Sequence, residues 1–167
     1  MDSFKASYIL DENEILFLLD SMQDILPSVP VQYMLDQYQH ENTAPLNAEE
    51  GLVYKKLAKK ASGKVVLEPV VDMLARSALS SEALWIIEFG DTVEPEIVLK
   101  SKNIYLHIKR YPHISKAWKI TPHREKNTLL NEFEGQKVSE VSHIDRYGLR
   151  KFESVSEIKL WIEDNAE

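Results

Sequence analysis

Apolar residues in the first half of the chain recur at helical spacing and are interrupted by prolines and polar turns. The segment 11–14 (Asp-Glu-Asn-Glu) combines an acidic N-cap with a glutamate at the N3 position, a typical helix start. The apolar residues 15, 18, 19, 22, 25 and 26 follow it on one helical face. Pro27 and Pro30 should end this helix, so a second one is predicted over residues 31–39.

Two further helices are predicted before residue 80. Asn47 followed by Glu50 is a second cap-and-glutamate start, and we expect its helix to end on Lys59 and Lys60. Residues 62–63 (Ser-Gly) form a predicted turn before a short extended piece at 64–67. Pro69 suits the first position of another helix, which should run to Leu79.

The pattern changes near Ser80 from helical spacing to short apolar or alternating segments separated by turn residues. Such segments predict strands, and their short connections favour an antiparallel meander. The four predicted strands are residues 83–89, 96–100, 104–109 and 116–120.

The last part of the chain should close the sheet. Thr121-Pro122 resembles an N-cap followed by proline at N1, so a helix is predicted from there to Gly135. The apolar spacing of residues 138–144 fits either a strand or a helix. Residues 154–157 (Ser-Val-Ser-Glu) form a capping box that should open a final helix.

These elements predict an α+β fold, with N-terminal helices followed by a central antiparallel sheet that C-terminal helices close. Residues 1–167 should form a single domain, mainly helical over 1–80 and composed of the sheet and closing helices over 81–167. The apolar fraction of 44% is enough for a core. The chain has no cysteine, which excludes disulfides and thiolate zinc sites.

Neither a secretory signal nor a membrane span is predicted. The first residues lack a basic region followed by an apolar run. The longest apolar runs, at 15–19 and 83–87, are far shorter than a bilayer span. We therefore expect a cytoplasmic protein without membrane contact.

Charge is distributed very unevenly along the chain. Residues 1–50 contain ten acidic side chains and one basic one, whereas residues 100–126 contain eight basic side chains and one acidic one. Aromatic residues lie among these cations. This arrangement predicts either a surface that binds an acidic partner or two halves of the molecule that attract each other.

No spacing typical of a catalytic site is present. The five histidines form no HExxH motif, no glycine-rich phosphate loop occurs, and there is no GxSxG sequence around a serine. The paired carboxylates at 12/14 and 49/50 stand at helix starts, where compensation of the helix dipole accounts for them. We therefore predict a protein that is not an enzyme, with no metal site and no cofactor.

A winged helix-turn-helix is an alternative for the first part of the chain. The helix from Asn47 to Lys60 would be the recognition helix, and residues 63–68 the wing. Its lysines suit phosphates, but Glu49 and Glu50 would repel DNA where bases are normally read. The isoelectric point of about 5.3 also argues against nucleic acid as a partner.

The basic and aromatic segment 100–126 is the better candidate surface. On a strand, Tyr105, His107, Lys109 and Tyr111 should share one face, opposite three apolar residues. That face could bind a partner, or its cations could simply be solvated at the outside of a sheet. Together with the turn before it, the predicted partner-binding residues are Asp91, Val93, Pro95, Tyr105, Lys109, Arg110, Tyr111, Lys116 and Trp118.

The order of short motifs resembles the type VII (ESX) secretion-associated chaperone family of Gram-positive bacteria. The matching motifs lie within residues 6–135: Asp11-x-x-Glu14-Ile15-Leu16-x-Leu18-Leu19, Leu46-Asn47-Ala48-Glu49-Glu50-Gly51-Leu52, Ser62-Gly63-Lys64-Val65-Val66-Leu67 with the helix 69–79, and Leu84-Trp85-Ile86-Ile87.

The resemblance implies a cytoplasmic, non-enzymatic protein that binds one secretion substrate through sheet-loop and helical surfaces. We therefore expect a secretion-substrate chaperone or adaptor with an acidic or helical protein partner. The alternatives are a nucleic-acid-binding regulator of winged-helix type and an immunity protein that neutralises a toxin.

Overall fold

The computed structural model describes residues 7–37, 47–90, 93–114 and 116–152. They form an α+β fold with one seven-stranded antiparallel sheet, a separate two-stranded hairpin and short helices. In chain order the elements are β1 (Tyr8–Asp11), α1 (Glu12–Ser21), α2 (Val29–Gln37), α3 (Ala48–Tyr54), β2 (Ala58–Ala61), β3 (Lys64–Leu67), α4 (Pro69–Leu79), β4 (Ala83–Phe89), β5 (Val93–Ser101), β6 (Ile104–Arg110), β7 (Ala117–His123), α5 (Lys126–Asn131), β8 (Glu140–Asp145) and β9 (Gly148–Phe152).

The predicted four-stranded meander is confirmed, because β4, β5, β6 and β7 are consecutive antiparallel neighbours. The sheet is wider than predicted. Its order is β1-β7-β6-β5-β4-β8-β9, so strands from both ends of the described chain extend it. The expectation that helices precede and follow the sheet is therefore too simple: β1 comes before every described helix, and β8 and β9 come after α5.

The sheet is covered on both faces, because residues alternate between two apolar clusters along each strand. Leu99 and Leu106 belong to the larger cluster, which the residues of α1, α2 and α4 complete. Trp85 and Val98 point to the opposite face, where Phe133 packs with the buried leucines of α5. The helices thus lie on opposite sides of the sheet.

The start of α1 has the predicted capping box. The backbone N–H of Glu14 donates to Asp11 Oδ1 at 2.9 Å, and the N–H of Asp11 donates to Glu14 Oε2 at 2.9 Å. The Glu14 side chain is only 1% exposed and accepts a 2.6 Å hydrogen bond from Lys55 Nζ. A Cβ atom at Gly51 would lie 2.4 Å from Glu14 Oε1, so α1 and α3 can pack here because residue 51 has no side chain.

The prediction for the C-terminal end of the third helix is wrong. The helix stops at Tyr54, and Lys59 and Lys60 lie in β2 of the hairpin. Lys56 adopts a positive φ of 59°, and burial of Leu57 at 4% exposure carries the chain back into the core. This apolar contact takes precedence over the helix propensity of the lysines. Asn47 precedes the helix but makes no side-chain cap hydrogen bond.

The predicted helix start at Thr121-Pro122 is also wrong. Both residues belong to β7, where Thr121 pairs with His107 and Pro122 with Leu106, and α5 begins only at Lys126. Strand pairing with β6 keeps this segment extended beyond the predicted end of the strand. Residues 138–144 adopt the strand alternative, as β8. The predicted final helix from residue 154 lies outside the described residues.

Candidate partner-binding surface and apolar cavity

Arg110 and Trp118 form a stacked pair at one end of the sheet. They are direct cross-strand neighbours on β6 and β7, which places both side chains on the same face. The guanidinium carbon of Arg110 lies 4.6 Å from the centre of the Trp118 ring, within the range of a cation–π contact. Arg110 Nε also lies 3.5 Å from Glu94 Oε2 of β5. Both predicted site residues are half-buried.

The connection between β6 and β7 projects beyond this pair. The backbone N–H of Tyr111 donates to the carbonyl of Ala117 at 2.9 Å, which closes the base of the connection. The Tyr111 and His113 rings are 5.3 Å apart in an edge-on arrangement. Ile114 is 48% exposed and Lys116 has a positive φ of 53°. Aromatic, apolar and cationic side chains are therefore displayed together at this tip.

The acidic segment 1–50 and the basic segment 100–126 are in contact where β1 pairs with β7, and an ion pair lies at the end of this pairing. Lys116 Nζ lies 3.6 Å from Glu12 Oε2, and the N–H of Glu12 donates to the carbonyl of Lys116 at 2.9 Å. Since the Lys116 side chain is 69% exposed, the pair contributes little to stability.

The other predicted residues do not join this surface. Tyr105 and Lys109 alternate with Arg110 and point to the opposite face of the sheet, where Tyr105 packs against the smaller apolar cluster. Burial raises the pKa of the Tyr105 hydroxyl. Pro95 is exposed on β5, beside an irregularity in its pairing with β4. Asp91 and the side chain of Val93 lie outside the described residues.

His107 shares the face of Tyr105, as the alternation predicts, but it is not part of an open platform. The ring is only 2% exposed, and Nε2 lies 2.5 Å from Glu96 Oε2. Phe133 packs edge-on against the ring at a centroid distance of 5.0 Å. The residues that follow α5 therefore cover the part of the predicted binding face that His107 occupies.

An apolar cavity of about 220 Å³ lies behind the Arg110–Trp118 pair. Its floor is the sheet, where Ile97, Ile108 and Ile120 are neighbours across three strands. Its walls are apolar side chains of α1, α2 and α4, with the small residues Ala75 and Ala78 on α4. The three isoleucines are only half-buried, so the cavity is partly open among the described residues.

The cavity lining is almost entirely apolar. Only Tyr8, Glu12 and Trp118 among its lining residues carry a polar side-chain atom, and Glu12 faces Lys116 at the surface. Two buried histidines, His123 and His143, lie outside it; burial lowers the pKa of both imidazoles. Within the described ranges no group of three or more metal-ligating side chains is close enough to hold an ion.

Arg110 and Trp118 are among the partner-binding residues predicted from the sequence, whereas the cavity was not predicted. Each lining residue is an ordinary apolar position of a helix or strand, so the pattern predicts burial for all of them. Whether their side chains meet or leave a space depends on the distance between the helices and the sheet. The sequence pattern does not specify the distance between the helices and the sheet.

No protein-family model, curated protein or solved structure matches the chain. Within the part of the chain that the structure describes, no helix has the length and apolar composition needed to cross a bilayer.

Proposed function

We propose that the protein is a non-enzymatic module that binds a protein partner in the cytoplasm, as a chaperone or adaptor for a secretion substrate. The observation that carries this proposal is the Arg110–Trp118 pair beside the exposed β6–β7 connection. Aromatic and arginine side chains dominate the energetics of protein interfaces. The motifs within residues 6–135 that resemble type VII secretion chaperones support the secretion role.

The charge arrangement supports an acidic partner. Most cations of the segment 100–126 lie on β6, β7 and the residues beside them. The acidic residues 1–50 contact this segment where β1 pairs with β7, and the Lys116–Glu12 ion pair beside this pairing is loose, with Lys116 largely exposed. A positive field at the surface speeds the encounter with an acidic protein and makes the association rate sensitive to salt.

The test uses small helical proteins encoded beside the gene as candidate partners, with binding measured by surface plasmon resonance. Trp118→Ala should weaken binding about thirtyfold, the loss expected for an interface hot spot. The control is Leu149→Ala, which removes an exposed apolar side chain at the far edge of the sheet, away from this surface. Equal affinity of the two variants for a bound partner would refute the assigned surface.

Charge reversal separates a binding face from an internal seam. Lys116→Glu should slow association while the melting temperature stays nearly unchanged, because Lys116 is exposed at the β6–β7 connection and its pair with Glu12 is loose. A large drop in melting temperature with unchanged association would mean that the basic segment stabilises the fold instead. In that case the binding site must lie elsewhere.

The β2–β3 hairpin favours a second candidate, a nucleic-acid-binding regulator. It follows three helices, as a wing does, and exposes Lys59, Lys60 and Lys64. Against it, Glu49 and Glu50 are exposed at the start of α3, where a recognition helix would meet bases. Sequence-specific binding of duplex DNA at nanomolar protein would distinguish this candidate from the first.

A further inference from the structure

We propose that the cavity between the sheet and helices α1, α2 and α4 is a binding site for a small, uncharged apolar molecule. This inference is independent of the proposed function, because it concerns a free ligand and not a protein partner. It rests on the volume of the cavity and on the chemistry of its lining.

The volume selects the size of the ligand. An engineered cavity of about 150 Å³ with leucine, isoleucine and phenylalanine walls stays dry and binds benzene. Scaled from six carbons in that space, about 220 Å³ holds about nine carbons. A helix, which is about 10 Å across with its side chains, does not fit in this volume. An aliphatic chain or a single substituted ring does.

The lining selects an uncharged ligand. Its side chains are leucine, isoleucine, valine, alanine and methionine, apart from three residues with a polar atom, Tyr8, Glu12 and Trp118. Transfer of a charged group into such a space is strongly unfavourable. The Glu12 carboxylate also disfavours an anionic head group at the wall of α1. One hydroxyl directed toward the open side of the cavity is compatible with the site.

The surrounding residues explain why the space persists. Leu99 and Leu106 on the floor are almost fully buried, whereas the next row across the sheet, with Ile97, Ile108 and Ile120, is half-buried. Ala75 and Ala78 of α4 also line the space, and their methyl groups fill little of it. Larger side chains at those two positions would fill the space, so the lining itself provides a test.

The experiment uses the full chain and 1-octanol as the probe, with isoleucine methyl groups observed by NMR. Saturable shifts are expected at Ile97, Ile108 and Ile120, while Ile87, which packs on the opposite face of the sheet, should not respond. 1-Octanol should also raise the melting temperature, since a ligand of the native state stabilises it. Shifts spread equally over both faces, or no saturable shift up to the solubility limit, would overturn the proposal.

Substitutions on α4 provide the second measurement. Ala78→Leu should weaken 1-octanol binding at least tenfold, because the added carbons occupy the ligand volume. Met73→Ala changes an exposed apolar residue of the same helix that does not line the cavity, and it should leave binding unchanged. If Ala78→Leu folds and binds 1-octanol as tightly as the natural chain, the site is refuted. If Ala78→Leu does not fold, the isoleucine methyl shifts of the natural chain decide whether the cavity binds 1-octanol. If 1-octanol does not bind, the Trp118→Ala test of the protein partner still applies. Either proposal can therefore fail without the other.

Discussion

Protonation of His143 should make the fold sensitive to mild acid. This histidine lies on β8 directly opposite Trp85 of β4, with ring centroids 5.0 Å apart and no exposed surface. Burial lowers its pKa from 6.5 to about 4. The Asp145 carboxylate raises the pKa, while Arg150 and Lys100 lower it, and these effects are smaller than that of burial.

The sign follows from comparing the folded and unfolded chains. Below pH 6.5 the unfolded chain binds a proton at His143 that the folded chain does not, so stability falls as the pH decreases toward 4. A tenfold difference in proton affinity is worth about 1.4 kcal/mol, so the full effect is about 3 kcal/mol. Between pH 7.5 and pH 5 the loss should reach about 2 kcal/mol. His123, whose pKa burial also lowers, acts in the same direction.

The measurement is urea unfolding between pH 7.5 and pH 5, followed by circular dichroism. His143→Leu removes the titrating group and keeps an apolar side chain opposite Trp85. Its stability should fall less with acid than that of the natural chain, by about 2 kcal/mol over this range. Equal slopes for the natural chain and His143→Leu would refute the reasoning.

Three further outcomes are expected. Gly51→Ala should lower the free energy of unfolding in urea by about 2 kcal/mol, because the added Cβ displaces the Glu14 carboxylate. In most helices the same substitution is stabilising, so a stabilised variant would contradict this packing. Asp11→Ala should cost about 1 kcal/mol by removing the α1 cap, whereas an unchanged unfolding midpoint would mean that the capping box is not needed. Duplex DNA should bind weakly and without sequence preference in fluorescence anisotropy at physiological salt, because Glu49 and Glu50 precede the basic hairpin; nanomolar, sequence-specific binding would promote the winged-helix candidate.

Local interactions determined much of the fold from sequence. The capping box at Asp11, the helix start at Pro69 and the four strands of the meander depend on residues that are near one another in the chain. Caps, proline positions and two-residue alternation act over a few residues, so they remain visible without the fold. The same alternation correctly placed Tyr105 and His107 on one face of β6.

Tertiary contacts decided what the local pattern left open. β1 pairs with β7, more than 100 residues along the chain, and this pairing makes the sheet wider than the meander. Burial of Leu57 ended α3 early, and packing of Phe133 covered His107. Each outcome depends on which surfaces meet after the chain has collapsed.

The candidate site shows the same division. Sequence alone picked out the cations and aromatic residues of segment 100–126, because residue type and charge are local properties. It did not show that the sheet divides these residues between two surfaces. Arg110 and Trp118 lie on one face, whereas Tyr105 and Lys109 lie on the other. The cavity of about 220 Å³ depends on the spacing between α4 and the sheet, which only the packed structure determines.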